Sequence, residues 1–183
     1  MPTTVLLAMH GTPPSDFPQR ELGEYFALHA QAESRHSHLT DDQVARHKEL
    51  ERRMRDWPRT RRNDPFQAGS MDLAAELERA LGLPVVVGFN EFCAPDLHEA
   101  FDQVASQKAA RVVVLTPMLT RGGGHAEVEI PHAIEAARKR HPQMSFHYAW
   151  PIPEADVAGF LAKHVNASLA RTPLSEPPDP PGG

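Results

Sequence analysis

Apolar residues along this chain gather in short continuous runs, and longer segments with helical periodicity separate these runs. Three runs are clear, "TTVLLAM" (3–9), "PVVVGF" (84–89) and "RVVVLTP" (111–117), and "MSFHYAW" (144–150) is a weaker fourth. Because their apolar positions are continuous rather than alternating, the clear runs are typical of strands buried on both faces of a parallel sheet.

Amphipathic segments with a helical repeat lie between and after these runs. They cover residues 69–82, 94–108, 125–142 and 153–170. The first has Ser70 as its expected N-cap and Gly82 as its stop, and the third is expected to be helical at least from Pro131. This alternation predicts an α/β fold, an open parallel four-stranded sheet flanked by helices with Rossmann-like layering.

About 75 residues separate the first two strands, although a crossover needs only about a dozen. We interpret residues 21–67 as a helical insertion or lid, with "ELGEYFALHAQAESRH" as one helix and "TDDQVARHKELERRMRDW" as the next. Thr40 is the expected N-cap of the second helix. We expect residues 1–172 to form a single domain and the proline-rich residues 173–183 to be disordered.

Composition limits the partners and the cellular compartment that we expect for this protein. The net charge of −5 gives no argument for a nucleic-acid partner. No apolar run is long enough to cross a membrane, and no basic segment precedes a long apolar one at the N-terminus. The single cysteine, Cys93, is interpreted as a small buried apolar residue and fits a reducing compartment. We therefore predict a cytoplasmic protein without a membrane or nucleic-acid partner.

Side chains capable of proton transfer or metal ligation follow three of the predicted strands. His10 comes directly after the first, Glu91 follows the second within "GFNEF", and His125 follows the third after three glycines. Each alone would be an ordinary loop residue, but ligands of open α/β sheets bind at the carboxyl ends of the strands. Two imidazoles suit Co²⁺, Ni²⁺, Fe²⁺ or Zn²⁺, whereas a structural zinc site would want four closely spaced ligands.

The same residues resemble a known family. "LLAMHGTP", "GFNEFCAP", "GGGHAEVEIPHAIE" and "YAWPI" are similar to the CbiX/SirB class II chelatases, the sirohydrochlorin cobalto- and ferrochelatases, which are related to protohaem ferrochelatase. The similarity covers roughly residues 3–17 and 84–152. Its pattern is HG after the first strand, F-x-E-F-x-x-P after the second and GGH-x-x-x-x-I-P after the third. The insertion is longer than in the short members, and Thr-Pro after HG is nearer to ferrochelatase.

The resemblance implies a lyase that inserts Co²⁺ or Fe²⁺ into sirohydrochlorin or a related tetrapyrrole without ATP, in cobalamin or sirohaem biosynthesis. By this resemblance, His10 and His125 match the metal-handling histidines and Glu91 matches the carboxylate that takes protons from the macrocycle. The implied metal, Co²⁺, Fe²⁺ or Ni²⁺, is a substrate, and no permanently bound cofactor is expected.

Two further groups are candidate substrate contacts. They are Arg52, Arg53 and Arg55 in the insertion, and Gly122, Gly123 and Gly124 before the last histidine. The arginines either belong to a solvated helix face or bind the peripheral carboxylates of the substrate. The glycines either allow the backbone to approach a flat macrocycle or form a mobile loop.

Other functions and assemblies stay open at this point. A metallochaperone or tetrapyrrole-binding protein on the same fold would carry the same residues without turnover. A histidine phosphatase also has HG after a strand, but Met9 stands where that class has its phosphate-binding arginine. The larger relatives carry two such domains, so a homodimer with facing carboxyl edges would restore their cleft. The insertion could instead cover that edge and leave a monomer.

Overall fold

The structure, a computed structural model, describes residues 1–34 and 38–171. Along the chain lie β1 (Thr3–Met9), α1 (Gln19–Glu33), α2 (Asp41–Arg55), α3 (Pro65–Leu81), β2 (Val85–Phe89), α4 (Leu97–Ser106), β3 (Arg111–Leu115), a π-helical turn (His125–Glu129), α5 (Ile130–Arg140), β4 (Ser145–Tyr148) and α6 (Glu154–Arg171). The predicted disordered tail, 173–183, lies outside the described residues. Within those residues, none of the helices has the length and apolar character that crossing a membrane requires.

The four strands form one parallel sheet in the order β2-β1-β3-β4. This confirms the predicted α/β fold with an open four-stranded parallel sheet. Val5 lies opposite Val85, and the register ends with Met9 opposite Phe89. Because parallel strands point the same way, the residues that follow β1 and β2 leave the sheet side by side at its carboxyl edge.

Both faces of the sheet are covered, as the continuous apolar runs predicted. Leu6 and Ala8 belong to a buried cluster with α4 and α5, whereas Leu7 and Met9 pack with Ala74 of α3 on the opposite face. Alternate side chains of one strand therefore enter two different cores, and the free energy gained by burying them holds β1 at the centre of the fold.

Gly88 of β2 lies where α4 approaches the sheet most tightly. A Cβ atom at this position would lie 2.8 Å from Cβ of Ala100 and 3.1 Å from Cδ2 of Leu97. We expect Gly88→Ala to lower the free energy of unfolding by about 1–3 kcal/mol through overpacking, as measured by urea denaturation. Gly23→Ala is the control, because a Cβ atom at Gly23 inside α1 meets nothing within 4 Å. This control should be stabilised by about 0.5–1 kcal/mol, and equal stabilities of the two variants would contradict the packing described.

The helical insertion after β1 has its own apolar core. Its buried cluster contains Phe17, Tyr25, Leu50, Met54 and Phe92. The last of these residues comes from the loop after β2, so the insertion packs directly on a loop at the carboxyl edge of the sheet. The prediction that Thr40 caps the second helix is confirmed, because its hydroxyl accepts the Gln43 N–H and the Gln43 side chain accepts the Thr40 N–H.

Helix α3 begins earlier than the sequence pattern indicated. Asp64 is its N-cap, with its carboxylate accepting the Gln67 N–H at 2.8 Å, and Pro65 fills the first helical position. The prediction of Ser70 as N-cap is wrong: Ser70 is buried one turn inside the helix and donates to the Phe66 carbonyl. Gly82 ends the helix in the left-handed conformation, at φ +64°, as predicted.

The contacts of the chain divide it into two compact units, residues 1–150 and the residues from Pro151 onward. The first unit contains the sheet and α1–α5. In the second unit, α6 has no buried residue. The predicted single domain over residues 1–172 stays a prediction.

Candidate metal centre

His10 and Glu91 lie side by side because the pairing of β1 with β2 continues past the strand ends. The Asn90 N–H donates to the Met9 carbonyl and the Glu91 N–H donates to the His10 carbonyl, each at 2.9 Å. These two hydrogen bonds fix the backbone of both residues at the carboxyl edge, where their side chains leave the sheet together.

The loops after β1 and β2 approach each other so closely that position 11 requires glycine. Its φ is +102°, in a region that side-chain-bearing residues rarely adopt. A Cβ atom on Gly11 would lie 1.9 Å from the carbonyl oxygen of Glu91. The sequence His-Gly at the end of β1 thus combines a polar side chain with a turn that lets two loops touch.

His125 begins a single π-helical turn that continues into α5. The Ile130 N–H donates to the His125 carbonyl, five residues earlier. The helix therefore starts at the first residue of the predicted segment, and not only at Pro131. Single π turns occur frequently at functional sites, since they re-aim the side chains on one side of a helix.

Hydrogen bonds fix which nitrogen of each imidazole is available. His10 Nδ1 lies 2.7 Å from the Gly11 carbonyl, and His125 Nδ1 lies 2.8 Å from a carboxylate oxygen of Glu129. Because a carbonyl and a carboxylate only accept hydrogen bonds, each Nδ1 is the donor, and in the neutral form of the ring Nε2 then keeps its lone pair. When one imidazole nitrogen binds a metal, a hydrogen-bond acceptor on the other nitrogen orients the ring and raises its basicity.

The two available nitrogens both face Glu91. His10 Nε2 is 4.0 Å from one carboxylate oxygen, and His125 Nε2 is 3.9 Å from the other. One ligand atom from each of the three residues lies within 4.8 Å of the other two. Ligands of a tetrahedral metal lie about 3.4 Å apart, given metal–nitrogen distances of about 2.1 Å, so small side-chain rotations would bring them onto one ion.

The three side chains are partly open to solvent. The exposed fraction is 44% for His10, 26% for Glu91 and 21% for His125. No other group of three such ligands comes as close together among residues 1–34 and 38–171. Three protein ligands with an open side are typical of sites that exchange or present a metal, whereas structural sites are closed by a fourth ligand.

A buried ion pair supports the two loops that carry the site. Arg59 pairs with Asp64, and their side chains are 8% and 0% exposed. The Arg59 guanidinium also donates to the carbonyls of Thr12 and Met54, at 2.8 and 2.7 Å, and to that of Phe92. One side chain thus joins the loop after His10, the end of α2 and the loop after Glu91.

Cys93 next to this ion pair is fully buried, which confirms its interpretation as a small buried residue. Burial raises the pKa of its thiol to about 12. Because the thiolate is the reactive species, the native protein at pH 8 should not react with a disulfide reagent such as DTNB. One thiol per chain should react after denaturation, and rapid reaction of the native protein would contradict this burial.

The predicted substrate contacts occupy two places. Gly122, Gly123 and Gly124 have open space where a Cβ would be, and the Gly122 N–H donates to Glu127, which lowers the pKa of that carboxyl. Arg55 donates to the carbonyls of Asn90 and Cys93, on either side of Glu91. Arg52 pairs with Asp56 and Arg53 with Glu21. Substrate binding by these six residues stays a prediction.

Comparison with known proteins gives the family. The CbiX family model matches residues 60–167, more than half of the chain. A sirohydrochlorin cobaltochelatase from Priestia megaterium is 34% identical over 64 residues, which are 35% of this chain and 21% of the relative. The chain therefore matches only a small part of the length of that curated relative.

Two solved structures share the fold. One is described as a CbiX protein of cobalamin (vitamin B12) biosynthesis from Marinobacter aquaeolei VT8, with 16% identity and a TM-score of 0.53 over 93% of this chain and all of that one. The other is SirB from Bacillus subtilis with Fe³⁺, with 16% identity and a TM-score of 0.50 over 96% of this chain and 49% of that one. At these identities the likeness concerns the fold alone. The match of the CbiX model to more than half of the chain shows that the chain belongs to the CbiX family.

Proposed function

We propose that the protein is a chelatase that inserts Co²⁺ or Fe²⁺ into sirohydrochlorin or a related tetrapyrrole without ATP. The observation that carries this proposal is the convergence of two imidazole Nε2 atoms on one carboxylate at an open sheet edge. The family supports it, as does the cobaltochelatase activity in the name of the Priestia megaterium relative.

Metal insertion exchanges two pyrrole N–H protons for one divalent ion. In this proposal, Nε2 of His10 and Nε2 of His125 present the metal to one face of the macrocycle. Imidazole suits this step because it is a good ligand for Co²⁺ and Fe²⁺, and two imidazoles leave coordination positions open for the macrocycle.

Glu91 is the proposed proton acceptor. Its carboxylate takes the two pyrrole protons one after the other and passes each to solvent, to which the Glu91 side chain is 26% exposed. Glu129 accepts the Nδ1 proton of His125 and stabilises positive charge that develops on that ring.

A non-catalytic role is the second candidate. A metallochaperone or tetrapyrrole-binding protein would use the same side chains and the same open edge, but would stop at stoichiometric uptake. The predicted homodimer with facing carboxyl edges stays a prediction.

An anaerobic absorbance assay tests the proposal. The purified protein is mixed in turn with sirohydrochlorin and protoporphyrin, each with Co²⁺, Fe²⁺ or Ni²⁺. Many turnovers above the uncatalysed rate in one pairing would support the chelatase. Uptake of one equivalent without turnover would favour the binding protein, and no effect in any pairing would contradict both.

A further inference from the structure

Aromatic rings extend from the metal centre onto the helical insertion. The Phe92 ring lies 6.3 Å from the His10 ring, with an interplanar angle of 31°. The Phe26 ring of α1 lies 6.0 Å from the Phe92 ring. The rings of His10, Phe92 and Phe26 therefore lie in a row, with Phe92 between the other two.

The backbone of Phe92 is held in an unusual conformation that places its ring there. Its φ is +60°, and the Cys93 N–H donates to the Glu91 carbonyl at 2.6 Å, which closes a tight turn around Phe92. Arg59 holds the Phe92 carbonyl from the other side. A bulky residue with positive φ is costly, and residues held in such conformations are enriched at active and ligand-binding sites.

Phe26 is the exposed end of this row. Phe26 is 43% exposed, although its neighbours Tyr25 and Phe92 are only 4% and 9% exposed. Tyr25 also packs against both phenylalanine rings, at 5.4 and 6.0 Å, and belongs to the core of the insertion. The inner side of Phe26 thus packs on a buried cluster, and its exposed side is an apolar surface that Phe92 separates from His10.

We propose that Phe26, backed by the largely buried Phe92, forms an apolar wall against which part of a flat conjugated macrocycle packs while its centre faces His10 and His125. This inference rests on the proposed function and assigns a substrate-binding role to the insertion. An exposed aromatic ring gains free energy when an apolar ring system covers it, and the gain corresponds to about tenfold in affinity.

Equilibrium binding of metal-free sirohydrochlorin, followed by its fluorescence, tests the wall apart from turnover. Phe26→Ala should weaken binding about tenfold, and Phe26→Trp should restore it. Leu73→Ala is the matched control, because Leu73 is also 43% exposed but lies on α3. Binding of Co²⁺ alone and the circular dichroism spectrum should be unchanged in all three variants.

Two results would overturn the inference. Equal affinity of wild type and Phe26→Ala would do so while leaving metal insertion intact, and so would equal losses in Phe26→Ala and Leu73→Ala. If the wild type metallated the tetrapyrrole in the assay above, either result would contradict the apolar wall and leave the proposed function standing. If the wild type neither bound nor metallated it, the proposed function and the wall would both fail.

Discussion

Gly11→Ala is expected to destroy the metal centre although it adds only one methyl group. The new Cβ would lie 1.9 Å from the Glu91 carbonyl oxygen, and the φ of +102° disfavours any residue with a side chain. Relief of this clash needs a displacement of roughly 1 Å in one of the two loops, and a misplacement of that size can cost about 100-fold in rate. We expect the rate of metal insertion to fall by at least about 100-fold, as measured by the anaerobic assay.

Gly82→Ala is the matched control for this substitution. Gly82 also has a positive φ, +64°, but a Cβ atom added to it at the end of α3 would meet nothing within 4 Å. Alanine there should cost about 1 kcal/mol of stability through backbone strain and leave the insertion rate unchanged. If the two variants had equal insertion rates, the contact between Gly11 and Glu91 would not control the site.

Asp64→Ala is expected to have the largest effect on stability. The Asp64 side chain is fully buried, and its removal leaves the Arg59 guanidinium buried without its charge partner. The same change removes the N-cap of α3. Breaking a buried pair on one side costs about 3–5 kcal/mol, and urea denaturation should show a decrease of this size in the free energy of unfolding.

Asp72→Ala provides the comparison, because the Asp72–Arg61 pair has the same chemistry on the surface, with side chains 56% and 74% exposed. Its effect should be much smaller, since water screens exposed ion pairs. Similar losses in the two variants would mean that burial does not govern the Arg59–Asp64 pair.

Local sequence pattern was sufficient for the sheet. β1 was predicted at its observed limits, 3–9, because a continuous apolar run ends sharply in His10-Gly11 and two prolines follow. The common edge of His10, Glu91 and His125 followed from parallel topology alone, since each residue comes after a strand.

The supporting contacts could not be predicted in the same way. The Arg59–Asp64 pair joins loops that meet only in the folded chain, and the start of α3 was missed because Ser70 satisfies the local rule for an N-cap. Glu129 carried a usable signal, because it lies four residues after His125 and such pairs face each other on a helix. The tautomers of His10 and His125 depend on contacts that no spacing rule supplies.

His10, Glu91 and His125 should act on one metal ion if they form a single site. The most direct test is the rate of Co²⁺ insertion into sirohydrochlorin by His10→Ala, His125→Ala and the double variant, with folding verified by circular dichroism. Each single variant should lose more than about 100-fold, and the double variant should be scarcely slower than either, because the two residues act as a unit.

The matched control is His132→Ala, an exposed histidine of α5, which should keep the wild-type rate. Glu91→Gln keeps the shape of the side chain and both histidines, so Co²⁺ binding through His10 and His125 should persist while turnover falls. The decisive measurement is the insertion rate of the folded His125→Ala variant: a loss of more than about 100-fold is predicted, and a rate near that of the wild type would contradict the assignment of this site.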